Sequence, residues 1–131
     1  MNMAVDDSSY VDAIAIDHDG KTLIMMISDH LDWEADFEFD HLTILQEKLN
    51  TYLWFIESKQ YQEVYPGIEF ESFLIDIRFL HNMSENCMKY IDVANRKLSL
   101  ENIIIVPKFV SEATEIHHKK DDWKKLQVLM A

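Results

Sequence analysis

Hydrophobic and polar residues along this chain change their period at each predicted element. In "YVDAIAIDHDGKTLIMMIS" (10–28), two β-rich runs flank Asp19-Gly20. That dipeptide supplies the positive φ angles of a two-residue type I′ turn, so the stretch predicts a β-hairpin. The turn sets the register, with Asp17 opposite Thr22, Ile16 opposite Leu23 and Ile14 opposite Met25. Ile14, Ile16, Leu23, Met25 and Ile27 then line the core face of a sheet. Ala13, Ala15, Ile24 and Met26 keep the other face apolar, which predicts cover by a partner or by the C-terminal segment.

From His41 to Lys59 the period lengthens: Leu42, Leu45, Leu49, Tyr52, Leu53 and Ile56 recur at three- and four-residue steps, the stripe of a long helix. Asp36, Glu38 and Asp40 stand at its start, where carboxylates cap free N–H groups and meet the positive end of the helix dipole. Pro66-Gly67 closes the segment. "FESFLIDIRFL" (70–80) alternates again, with Phe73, Ile75, Ile77 and Phe79 on one face. Leu74, Asp76, Arg78 and Leu80 share the other, where Asp76 and Arg78 can pair. Ser84 is placed to cap a second helix reaching Leu98, with Cys87, Ile91, Ala94 and Leu98 inward. "NIIIVPKFV" (102–110) predicts a fourth strand, which Pro107 confines to an edge. In the tail, Trp123, Leu126, Leu129 and Met130 are the anchors of a predicted terminal helix capped by Asp121 or Asp122.

The order is β-β-α-β-α-β. It predicts an α+β two-layer sandwich, a four-stranded sheet with both helices on one face. Residues 1–110 form the expected single domain, and 111–131 a C-terminal extension expected to be helical. A chain of 131 residues, 48% of them hydrophobic, has enough apolar surface for a core of its own.

Charge changes the picture more than size does. The net charge is −12, a field that repels phosphate backbones and anionic headgroups over a Debye length of about 8–10 Å. Nucleic-acid and membrane partners are disfavoured and a basic protein partner is favoured. Residues 1–107 hold twenty Asp/Glu against seven Lys/Arg, whereas 108–131 hold four acids against five lysines, so the tail is compositionally distinct. Cys87 is the single cysteine, which fits a reducing compartment. The N-terminal residues carry acids where a signal peptide carries cations, so a cytoplasmic location is expected.

The densest candidate chemistry lies in "SDHLDWEADFEFDH" (28–41), with six carboxylates, two histidines and a tryptophan. A metal site here would use Asp29, His30, Asp32, Glu38 and His41, and Glu38-Phe39-Asp40-His41 has the Glu-x-x-His spacing of di-iron bundles. Nothing later in the chain supplies the second copy those bundles need. Carboxylates this dense are costly unless water screens them, which favours a solvated surface. As a partner-binding surface it would use Asp29, Asp32, Trp33, Glu34, Asp36 and Glu38. Trp33 is expected as a lid on the core edge with its N–H wet.

Other candidates are weaker. Asp17-His18-Asp19-Gly20 is explained by its turn better than by an Asp-x-Asp metal motif. His117-His118 beside Lys119-Lys120 suits an exposed linker, lacking the further ligands zinc needs. His81 has no nucleophile nearby in sequence. Cys87 starts a predicted helix but points inward, as a buried, inert thiol. No Gly-rich phosphate loop, Gly-x-Ser-x-Gly elbow or Cys-x-x-Cys occurs, and no cofactor is implied.

"SDHLDW", "LQEKLNTYLWFIES", "YP" and "SENCMKYIDVANRKL" together resemble an uncharacterised family of small acidic bacterial proteins, a domain of unknown function. The resemblance spans about residues 10 to 106 and implies a ββαβαβ chain. The chain departs from the family in "ADFEFD" and after Pro107. The family carries no established activity, so the resemblance bears on the fold alone. The residues favour a non-enzymatic protein-binding module, immunity-type in one form, that docks a basic partner. Two alternatives stand beside it: a metal-dependent enzyme using the Asp29/His30/Asp32/Glu38/His41 cluster, and a self-associating structural subunit, such as a homodimer, joined through the apolar second face or the edge strand.

Overall fold

The computed structural model describes residues 5–9 and 11–110. Its elements are β1 (Ala13–Ile16), β2 (Thr22–Asp29), α1 (Glu38–Glu57), β3 (Ser72–Phe79), α2 (Glu85–Leu98) and β4 (Ile103–Phe109). The sheet order is β1-β2-β3-β4. β1 is antiparallel to β2, whereas β2, β3 and β4 are mutually parallel. Two parallel crossovers that step the same way across a sheet, each right-handed, put their helices on the same face. Accordingly, Leu45, Leu49 and Tyr52 of α1 and Cys87 and Ile91 of α2 share one buried cluster with Leu23, Met25, Ile27, Phe73, Ile75, Ile77 and Phe79. The expected α+β architecture is the observed one.

The hairpin register is as expected, with Ile14 opposite Met25 and Ile16 opposite Leu23, but the turn is a different one. The Gly20 N–H donates to the Asp17 carbonyl at 2.9 Å, so the β-turn runs from Asp17 to Gly20. Gly20 has φ +71° while Asp19 is not among the residues of positive φ, which rules out type I′. The Asp17 carboxylate holds His18 through its N–H at 2.7 Å and its Nδ1 at 2.8 Å. Asp19 accepts the Lys21 N–H at 2.8 Å. These carboxylates shape the turn with local bonds a backbone-only turn would lack.

α1 starts three residues earlier than its apolar stripe, after a 3₁₀ turn at Ala35–Phe37. Phe37 is its N-cap and makes no side-chain capping bond, so Asp36, Glu38 and Asp40 serve the dipole and do not cap. On α2 the expected cap is present: the Cys87 N–H donates to Ser84 Oγ at 3.1 Å. Arg78 Nε donates to Asp76 Oδ2 at 3.0 Å, the same-face pair expected on β3.

β1 and β4 are the edge strands, and Asn95 of α2 closes β4. Asn95 Oδ1 accepts the Ile105 N–H at 2.7 Å and Asn95 Nδ2 donates to the Ile105 carbonyl at 2.9 Å. In a parallel strand alternate residues point both backbone groups to the same side, so Pro107 is the next outward position, and it has no N–H. The edge that motivated the self-association reading therefore offers little to an incoming strand. On the second face Ile24 and Leu74 are buried. The predicted terminal helix, the expected cover by the C-terminal segment and His117-His118 lie outside the described residues.

Candidate functional site

Two polar pairs lie where the hydrophobic periods predict core. On β2 the helix-facing positions are Leu23, Met25 and Ile27, and the next is Asp29. On α1 the buried positions His41, Leu45, Lys48, Tyr52 and Phe55 step by four and three. The strand therefore ends with an inward acid and the helix begins with an inward histidine, and the two meet. His41 Nε2 lies 2.8 and 2.7 Å from the two Asp29 carboxylate oxygens. Their side chains are 2% and 0% exposed.

The other ring nitrogen, His41 Nδ1, donates to the Asp32 backbone carbonyl at 2.9 Å. A carbonyl can only accept, so Nδ1 carries a proton and a second proton lies between Nε2 and the carboxylate. With both ring nitrogens engaged, His41 has none left to exchange a proton with a substrate, which sets it apart from a catalytic Asp-His dyad. Trp33 lies flat against the imidazole, with centroids 3.4 Å apart and planes 14° from parallel. Its Nε1 is buried with no partner among the described residues, contrary to the wet N–H expected, because the stack draws the whole ring onto the core edge. Asp29, His41 and Trp33 thus clamp the β2–α1 loop through three contacts of different kinds.

Of the five residues of the metal reading, the clamp brings together Asp29 and His41 and leaves the other three apart. His30 turns toward Asp6, with Nε2 to Oδ2 at 3.9 Å. The Asp32 carboxylate accepts the Glu34 N–H at 3.3 Å. Glu38 accepts from Asn86 at 3.1 Å, and bonds from Ser84 and Asn86 hold its carboxyl below the usual range. Among the described residues, no group of three or more His, Cys, Asp or Glu could hold a metal ion. The donor set of the metal-dependent alternative does not form. Asp29 likewise leaves the proposed partner surface, since it is buried; Asp32, Glu34 and Asp36 remain exposed and Trp33 and Glu38 half-buried.

A cleft of about 380 Å³ opens beside the clamp, lined by His30, Asp32, Phe37, Asp40, Ile44 and His81 among others. It sits at the carboxyl ends of parallel β2 and β3, where the loops that follow strands converge in sheets of this kind. Phe37 and Phe39 project from the same stretch, 59% and 78% exposed.

The second pair was missed from sequence. Lys48 and Asp12 bury both side chains completely, with Nζ 2.7 Å from Oδ2. The Lys48 ammonium also donates to the Asp7 carbonyl and lies 5.7 Å from the centre of the Tyr52 ring. Tyr52 donates its hydroxyl to the Met26 carbonyl, and burial pushes that hydroxyl's pKa well up. The signal was available: Asp12 continues the Ile14/Ile16 side of β1, and Lys48 falls on the 41-45-48-52 stripe. Cys87 is buried as expected, and burial pushes its thiol up to about 12.

Fold and site together define a small acidic domain with a mixed four-stranded sheet, two helices and a histidine-clamped acidic loop. The chain belongs to the family of unknown function DUF6572, whose model matches residues 3–111. Neither a curated protein nor a solved structure matches it. Among the described residues no helix is long and apolar enough to cross a membrane.

Proposed function

We propose that this protein is a non-enzymatic binding module whose acidic segment 30–40, the β2–α1 loop and the first turn of α1, docks a basic protein partner; one form of this role is an immunity-type protein that blocks a cationic toxin. The observation that carries it is the exposure of Phe37 and Phe39 among Asp32, Glu34, Asp36 and Asp40, in a stretch with no Lys or Arg. Aromatic anchors give affinity once desolvated, and a surrounding rim of one charge speeds encounter with its opposite. The clamp fixes this loop in advance, which lowers the ordering cost of binding. Asp29 supports the surface from beneath and does not contact the partner. The net charge of −12 argues against nucleic acid or an anionic membrane as the partner. A buried free thiol at Cys87 suits a reducing, cytoplasmic setting.

A photo-crosslinking residue at position 39, compared with one at Val93 on α2, identifies the partner in the native host. Affinity for the purified partner is then measured for Phe37→Ser/Phe39→Ser and for Asp32→Asn/Glu34→Gln/Asp36→Asn. The aromatic variant is expected to weaken binding by about tenfold or more, the scale of a hot-spot loss. The neutralised variant is expected to slow association and flatten its salt dependence. No crosslink specific to position 39, or an affinity indifferent to both variants, ends this proposal.

A further inference from the structure

We propose that residues 5–9, 11 and 12 form a releasable N-terminal strap, latched by the buried Asp12–Lys48 pair, whose opening alters the rim of the acidic cleft. The strap runs from the end of β2 across α1. The Val5 N–H donates to the Ser28 carbonyl at 2.9 Å, and the Val5 side chain is fully buried in the core. Further along, the Asp7 carbonyl accepts from Lys48 and the Ser8 carbonyl accepts from the Thr51 hydroxyl. The Asp12 N–H donates to Tyr52 Oη at 3.2 Å. Apart from the apolar anchors Val5 and Val11, these holds are polar contacts, and three of them go to one face of α1.

The latch is a weak fastening for its burial. Two full charges leave water to form it, and attraction between such groups often fails to offset the desolvation of both. Asp12 Oδ1 is buried with no hydrogen-bond partner among the described residues, so half of the carboxylate is uncompensated. The groups that face Asp12 are Lys48 and Tyr52 from α1 and Asp7 from the strap itself. Burial outweighs the opposing pull of Lys48, and the carboxyl is raised above its usual range. Closing the strap therefore costs more with the acid ionised than with it protonated. Its hold is fullest below the ordinary carboxylate range and weakens as pH rises through the raised value.

Opening has a consequence at the cleft. Asp6, on the strap, stands 3.9 Å from His30, which lines that cleft. Release takes a carboxylate away from the rim. Any effect on a partner rests on the docking role proposed above, but the strap does not.

Hydrogen exchange and histidine NMR on the full chain at neutral pH, in the wild type, Lys48→Met and Asp12→Leu/Lys48→Met, test this without a partner; failure here and failure of the docking role are separate results. Lys48→Met leaves the buried carboxylate without this cation. The Val5 amide is expected to exchange about tenfold faster or more, while the Ile75 and Ile77 amides keep their protection. The His30 ring resonances are expected to shift as Asp6 departs. The double variant removes both charges and is expected to slow Val5 exchange below that of the wild type. An unchanged Val5 amide in Lys48→Met, or one that accelerates only in step with β3, overturns the strap. If Lys48→Met does not fold, the double variant decides alone: slower Val5 exchange than wild type supports the latch, and equal or faster exchange overturns it.

Discussion

At the scale of single residues, Asp29, His41, Asp12 and Lys48 are four charged or chargeable groups on inward positions, and they form two pairs. Each pair joins a strand-side acid to a helix-side base, so polarity in the core is resolved between layers. Removing one member strands the other, at a cost of about 3–5 kcal/mol for a buried pair. Asp29→Ala and His41→Ala are each expected to lower the unfolding free energy by that amount in urea titrations, and the double mutant by clearly less than their sum. Additive losses would show that the two residues stabilise the fold independently and that the clamp is not a unit. The sequence displays these residues but also twenty-two other Asp and Glu. Composition makes each acid look like surface, and its place in the period marks the face it takes but not the partner it meets.

At the scale of elements, the sheet's edge is where packing of α2 matters most. Asn95 satisfies both backbone groups of Ile105, and Ile105 is 2% exposed, so losing the amide leaves a buried N–H and C=O unpaired. Asn95→Ala is expected to cost about 1–3 kcal/mol and to raise the mass seen by light scattering as concentration increases, since the edge is then open to another strand. A monomeric mass at all concentrations would mean Pro107 protects the edge without help. β3, α2 and the hairpin register were legible because alternation, an N-cap and a turn glycine act within a few residues. The α1 stripe is as expected but incomplete: Leu42 and Leu53 pack half-buried against the core, and Lys48, not expected there, is fully buried beside them. A lysine on a helix reads as solvent-facing until the strap and Asp12 are seen to meet it.

Across the whole molecule, an excess of carboxylates opposes compactness through self-repulsion. Raising ionic strength is expected to increase the thermal midpoint, because exposed like charges are screened while the two buried pairs are little affected. A midpoint that falls with salt would mean attractive surface pairs such as Arg96–Asp92, at 2.6 Å, outweigh the repulsion. The sequence by itself determined the element order, the sheet faces and the charge, since these depend on local periodicity and on counting. Only the tertiary structure decided which carboxylates are dry, which histidine is locked and where the N-terminal segment lies. Those depend on groups far apart in the chain meeting across two layers, a distance that no period encodes.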